Sequence, residues 1–577
     1  MSSKECQSCH PGEYASWHGS FHRTMTQVVM ADSVIADFDG VTLELDGDRY
    51  TLEQRGNEFW VELPDPSQAR NLTPSQRSSS LAVSRANSPR IRRRIAMSTG
   101  LHHYQLYWYP SGNGRELHML PFVFLKEERR WVPRSSVFLD PPGLPEQRLI
   151  WNVNCLPCHS TDGRPGYSPD PSEARKGPDT RVAEVGIACE ACHGPGQDHV
   201  ASRKRGDVSA PMVHPRRLDG PLSAQVCGQC HSVNVPYTRR DWVDWLLDGP
   251  SFRPGEKLAS SRYVVRPSTV AKSPLIQEWI RQNPDTLEGW FWPDGMVRVT
   301  GREYNGLTES PCFQGGAFSC VACHSQHNAP PDDLLMAGMR ADQACLQCHE
   351  WEPPQRTNHT RHAADSSGSR CYNCHMPHTT YGLLKASRSH TIDSPSVRSD
   401  LQAGRPNACN LCHLDRTLEW TAKNLGEWYG HEIPKLSSEQ RSIAASVLGL
   451  LKGDAGLRAL YSWHMGWRDA REASGSAWIA PILAQALDDP YDVVRYIGAR
   501  SLRSISGFRD FDYDFLAPPS ERTIAIGRAR RLWRQSGEGG SRRGSPEILL
   551  NEEGTLQEEV LSQLLSERDN RPVSLRE

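Results

Sequence analysis

The sequence predicts a mainly α and irregular core, with a β-rich insertion near the N-terminus and a C-terminal α-helical repeat domain. Three observations predict it. One pentapeptide, C-x-x-C-H, recurs eight times in stretches with no sustained helical or strand period. Between its first and second copies, apolar and polar residues alternate, which is the two-residue period of a strand. After the last copy the period lengthens to that of an amphipathic helix.

The core is set by cysteine. The chain has 17 cysteines, and the pentapeptides absorb 16 of them. They are Cys6, Cys9 and His10; Cys155, Cys158 and His159; Cys189, Cys192 and His193; and Cys227, Cys230 and His231. The second half adds Cys320, Cys323 and His324; Cys345, Cys348 and His349; Cys371, Cys374 and His375; and Cys409, Cys412 and His413. Two thiols at this spacing add to the two vinyl groups of one haem, and the next histidine falls beneath the iron as proximal ligand. A disulfide framework needs no histidine after each pair. A zinc ribbon couples such pairs at set separations without one, and a thioredoxin-type redox pair would occur once. The reading is therefore eight covalently bound haems c. Composition fits it. Hydrophobic residues make up 37%, with 45 Gly and 42 Pro, as expected of a chain that folds around large apolar groups it does not itself encode. Cys312 stands outside the pattern and reads as a free, buried thiol, with a thiolate ligand or reactive thiol as the alternative.

Of 22 histidines, 14 lie outside the pentapeptides, enough for a second imidazole on every iron. His22, in YASWHGSFH, sits on a short predicted helix. His199 closes CHGPGQDH and His327 closes CHSQH. Those offsets are too short to wrap over the same haem, so each suits a neighbouring one. His359 and His362 form HTRH ahead of Cys371, and His390 follows it. His102 and His103 are adjacent on a predicted strand, where neighbours point oppositely, so only His103 is expected to ligate. His118, His214 and His378 have weaker contexts, and His431 and His464 read as structural. No methionine has comparable placement, so mostly bis-histidine, low-potential haems are expected.

Pentapeptide spacing divides the chain into an N-terminal haem-binding segment (1–30), the β-rich insertion (31–150), a core with seven pentapeptides (151–413) and the helical-repeat domain (414–577). In the insertion, GVTLELDGDRYTLEQRGNEFWVELPD alternates and carries a hairpin signal at Asp46-Gly47. HHYQLYWYP and ELHMLPFVFLK read as two more strands joined by SGNG. The Ser- and Arg-rich run 71–94 reads as a surface loop, its arginines a solvated strand end or partners for haem propionates. Five tryptophans between 242 and 292 read as packing. In the last domain, Ile443, Ala444, Val447, Leu448, Leu450 and Leu451 share a helical face, with Ser437 and Gln440 offering a capping box. Ile479, Ala480, Leu483, Ala486 and Leu487 repeat the pattern, and DDPYDVVRYIGARSL turns into a second helix. This pair resembles a HEAT repeat, with Pro481, Asp489, Val494, Arg495, Ala499 and Leu502 at that repeat's positions.

A formal net charge of −2 gives no basis for binding nucleic acid or an anionic membrane. No run of about 18 apolar residues is present to form a transmembrane helix. The first cysteine follows Met1–Glu5 directly, so the sequence reads as a mature form or as one missing its leader. No Ser-His-Asp or paired-carboxylate arrangement suggests catalysis.

ECQSCHPGEYASWHGSFH, EVGIACEACHGPGQDH, ACLQCH, SRCYNCHMPHTTYG and GRPNACNLCHLDRTLEWTAKNLGEWYG resemble the multihaem cytochromes of the cytochrome c-554 type. The resemblance covers most of residues 1–430, and such proteins often end in a TPR or HEAT module. It implies closely stacked haems, a periplasmic or cell-surface location, and distal ligands that include His22, His103, His199, His327, His362 and His390. More distantly the chain resembles the octahaem hydroxylamine, nitrite and tetrathionate enzymes, but it has no C-x-x-C-K. The leading expectation is electron transfer between redox partner proteins or neighbouring cytochromes. The alternatives are a reductase of a small nitrogen or sulfur oxyanion at one open-faced haem, and a self-assembling conductive filament.

Overall fold

The computed structural model describes residues 1–65, 89–143, 149–207, 210–316, 318–537 and 544–575. The N-terminal segment is a run of short helices, Lys4–Gln7, Pro11–His18 and Phe21–Thr24, and it leads into strand β1 (Thr26–Val28). Four strands follow as an antiparallel meander: β2 (Thr42–Leu45), β3 (Asp48–Arg55), β4 (Glu58–Pro64) and β5 (Arg90–Arg94). β2 and β3 meet at Asp46-Gly47, where φ is +52° and +80°. That is the left-handed pair a two-residue hairpin turn requires.

A second antiparallel sheet runs in the order β1-β6-β7-β8-β9, with β6 Met97–Thr99, β7 Tyr104–Pro110, β8 Leu117–Leu125 and β9 Arg130–Pro133. β7 and β8 are buried on both faces because each face has its own core. Tyr107, Tyr109, Leu120, Phe122 and Phe124 meet Leu52, Phe59 and Val61 of the first sheet. Leu106, Trp108, Val123 and Leu125 turn the other way and join the core of the C-terminal helices. The insertion and the helical module thus share one hydrophobic cluster, sealed at its edge by Arg130–Asp514 at 2.8 Å.

Two local expectations need correcting. The end of the expected surface loop, residues 90–94, is strand β5, paired with β4, which keeps the solvated strand end expected of its arginines and overturns only the loop. Arg90 and Arg94 pair with Glu62 and Glu58 at 2.5 and 2.9 Å, and Arg92 pairs with Glu53. Residues 71–88 of the expected loop lie outside the described residues. Ser437 and Gln440 do form a capping box, but it caps a separate helix, Ser438–Ser442. Ile443 is extended (φ −117°, ψ 141°), so the apolar run begins a new helix.

That helix is α1 (Ala445–Lys452), followed by α2 (Ala455–Gly466), α3 (Ile479–Leu483), α4 (Asp492–Arg503), α5 (Pro519–Ser536) and α6 (Glu558–Ser566). α2 packs on α1 and α4. Asp489, in the turn before α4, pairs with Arg458 of α2 at 2.5 Å, with side chains 3% and 1% exposed. Arg495 donates to the backbone carbonyls of Asp489 and Phe515. Between the two modules, residues 151–413 are short helices and two-stranded ribbons. No helix among the described residues is long and apolar enough to cross a membrane.

Candidate haem-binding sites

All eight pentapeptides form a short helical turn beginning at or near the first cysteine, the third and seventh as the helices Cys189–His193 and Cys371–His375, and in the other six the histidine N–H bonds back to that cysteine's carbonyl. The bond is 2.8 Å at His10, 2.9 Å at His159, His231 and His324, 3.0 Å at His349 and 2.8 Å at His413. One turn puts both thiols and the following ring on the same side. All 17 cysteines are free thiols, and most of them are half-exposed. Structural thiols are normally buried, so these line ground left for another group. Cys312, expected to be buried, is likewise half-exposed, because its four-residue helix, Pro311–Gln314, contains no buried residue.

The pentapeptides touch one another in a definite order. Cys189 N donates to Ser3 Oγ at 3.3 Å, and the Met1 ammonium pairs with Glu190 at 2.6 Å, joining the first copy to the third. Gln229 reaches Ala191 O at 2.8 Å, joining the third to the fourth. The thiols of Cys227 and Cys320 lie beside each other, joining the fourth to the fifth. Gln347 reaches Ala322 O at 3.4 Å, joining the fifth to the sixth. The Cys345 and Cys371 thiols lie beside each other, joining the sixth to the seventh. Cys374 lies within electrostatic reach of Cys409 and Cys412, joining the seventh to the eighth. The second copy enters from the side. Cys158 Sγ meets Cys230 O at 3.7 Å, and Cys230 Sγ meets Pro157 O at 3.9 Å.

An imidazole nitrogen sits about 2.0–2.1 Å from a bound metal, so two imidazoles facing each other across one ion have centroids roughly 6 Å apart. Five pentapeptide histidines have a partner ring at that separation. They are His231 with His22 (6.1 Å), His193 with His327 (6.4 Å), His324 with His390 (6.3 Å), His375 with His359 (6.1 Å) and His413 with His362 (5.9 Å). His193 has a second such neighbour, His214, at 6.2 Å. Among the described residues, His10, His159 and His349 have no ring at this distance.

Second partners fix the rings. Nδ1 donates to a backbone carbonyl at 2.8 Å in His193 (Val213), His324 (Asp333) and His375 (Asp393). His362 does the same to Thr360 at 2.5 Å. His231 donates to Glu303 Oε2 at 2.8 Å. This leaves Nε2 as the lone-pair nitrogen, the tautomer a metal requires. Burial pulls His22 and His159 down to about 4, keeping both neutral. Burial opposes protonation of His231 too, but the Glu303 carboxylate outweighs it and lifts that ring to about 9, so a metal taken up there would displace the proton on Nε2. The donor set and its spacing fit haem c, and the group would supply one-electron chemistry at each site.

Of the six distal histidines expected from the sequence, His22, His327, His362 and His390 stand opposite pentapeptide histidines. His103 and His199 do not. His103 precedes β7 in a bend rather than lying within the strand. Its ring therefore meets His102 edge-on at 4.3 Å instead of pointing away from it, and its Nε2 is buried without a hydrogen-bond partner. His199 bonds to Ala210 O at 2.8 Å. His359, which HTRH left open, carries the ring opposite His375.

The family described as the doubled CXXCH motif matches residues 311–353, so this stretch bears paired haem c attachment sites. No curated protein matches the chain. Among solved structures, the crystal structure of the outer cell wall cytochrome OcwA is similar at 15% identity and a TM-score of 0.47, over 87% of this chain and 99% of that one.

Proposed function

We propose that the chain is an octahaem c-type cytochrome that passes electrons between redox partners along closely spaced haems. One observation carries the reading: the eight pentapeptides touch in an unbroken series. The main line runs through Cys6, Cys189, Cys227, Cys320, Cys345, Cys371 and Cys409, with the Cys155 pentapeptide branching at Cys230. Cysteines in contact hold their haems edge to edge, the arrangement a relay needs. His22, His327, His359, His362 and His390 close five irons from the far side. His214 or His327 serves His193. His327 also lies within electrostatic reach of His10, so with His214 serving His193, His327 is available there. We place the protein in the periplasm or at the cell surface.

A second reading, reduction of a small nitrogen or sulfur oxyanion, is favoured by one site. His159 is half-buried, faces no second imidazole among the described residues, and has the Arg302 guanidinium within electrostatic reach. Electron paramagnetic resonance of the oxidised protein separates the two. The relay predicts predominantly low-spin signals and no turnover of nitrite, hydroxylamine or tetrathionate with a chemical reductant. A substantial high-spin population together with turnover would replace the relay by the enzyme.

A further inference from the structure

Near the end of the main line, three carboxylates converge on one guanidinium. Arg405 Nε meets Asp294 Oδ2 at 2.7 Å, Nη2 lies 3.7 Å from Asp393 Oδ2, and Nη1 closes on Asp400 Oδ1. Asn407 Nδ2 donates to the other Asp400 oxygen at 2.6 Å. One positive charge cannot balance three negative ones in a space of low dielectric. The three acids are not equivalent. Asp393 and Asp294 are 49% and 27% exposed, so water sustains their charges. Asp400 is 2% exposed and Arg405 is 6%.

Beside Asp400 lies a cavity of about 10 Å³, the room one water molecule needs. Cys374, Ser389, Thr391, Asp393, Asp400 and Arg405 are among its walls. The Thr391 hydroxyl is buried there without a hydrogen-bond partner, which a water in the cavity would satisfy. The cavity therefore connects a buried carboxylate, a half-exposed one and a haem-bearing cysteine.

We propose that Asp400 takes up one proton when an electron reaches the haem held by Cys371 and Cys374 or the one held by Cys409 and Cys412, so that this end of the relay moves proton and electron together. The inference rests on the relay reading. The balance is one electron from the upstream haem, or from dithionite in a titration, and one proton from solvent through the cavity. The Asp400 carboxylate becomes the neutral acid, with no other bond made or broken. Added negative charge nearby favours the neutral form of a buried acid.

The groups facing Asp400 agree. Arg405 and Asn407, in the loop after the helix Val397–Ala403 that carries Asp400, favour the anion. Asp294 and Asp393 oppose it, and the Cys409 and Tyr461 side chains lie within electrostatic reach. Burial is the largest influence and holds Asp400 at about 7, poised to exchange a proton near neutrality.

The test is a spectroelectrochemical titration of the eight-haem protein between about pH 6 and 8, paired with reduced-minus-oxidised infrared difference spectra. The expected result is that one midpoint falls as pH rises, approaching the one-proton limit of about 59 mV for a tenfold change in proton activity. A protonated-carboxyl carbonyl band should appear on reduction, and both features should vanish in Asp400→Asn. If the wild-type spectra show no such band although the haems reduce, the proposal is overturned whatever the variant does. An unchanged slope in folded Asp400→Asn overturns it as well, assigning the proton to the propionates. If the haems are missing or do not reduce, it is the relay reading that has failed.

Discussion

At the scale of the residue, the second partner of each ring tunes its site. Glu303 is the one carboxylate hydrogen-bonded to a pentapeptide histidine among the described residues, held 2.8 Å from His231 Nδ1. A carboxylate acceptor makes the imidazole a stronger donor and favours the oxidised, more positive iron. Glu303→Gln keeps a hydrogen-bond acceptor but removes the charge. A charge-assisted bond exceeds a neutral one by about 1 kcal/mol, and about 59 mV corresponds to 1.4 kcal/mol for one electron. One midpoint should therefore rise by tens of millivolts in a redox titration, with the others unmoved. His359→Ala makes a different prediction. It removes the ring 6.1 Å from His375, so one haem's worth of low-spin signal should become high-spin while haem content stays at eight. These rings also show what the sequence could and could not convey. The proposed proximal ligands are legible because the covalent chemistry read for the pentapeptide fixes their spacing within five residues. Facing rings are brought together by tertiary packing, as when His22 crosses to His231. HTRH marked the region of His359 and His362, but only the fold shows that the two rings serve different pentapeptides.

At the scale of the element, the insertion and the helical module can be probed apart from the haem sites. Gly47 has φ +80°, and a Cβ there would meet nothing within 4 Å, so strain is the whole effect of a substitution. Gly47→Ala should cost about 1 kcal/mol in denaturant unfolding and leave the absorption spectrum unchanged. Asp489→Ala strips Arg458 of its buried partner, and breaking such a pair typically costs about 3–5 kcal/mol. Chemical denaturation should show that loss. Asp46-Gly47 was readable because a two-residue turn has a strict backbone requirement. The helix boundary at Ile443 was not, because periodicity runs through an extended residue without registering it. The pairing of β7 with two cores at once was also hidden: a strand buried on both faces reads as a plain apolar run.

At the scale of the molecule, the order of the pentapeptides departs from the order in the chain. The third copy, not the second, follows the first, and the second joins at the fourth. No local signal encodes that branch. It arises because the N-terminal segment lies against the Cys189 pentapeptide, through Met1–Glu190 and Ser3–Cys189. The eight pentapeptides themselves were legible throughout, and the account depends on each of them holding a haem. Intact-mass measurement under denaturing conditions tests this most directly, since thioether-bound haem survives unfolding. The account predicts the mass of the 64.7 kDa chain plus eight haems as the single major species. A major species with fewer haems, or the bare chain, from protein matured with its haem-attachment machinery would contradict it.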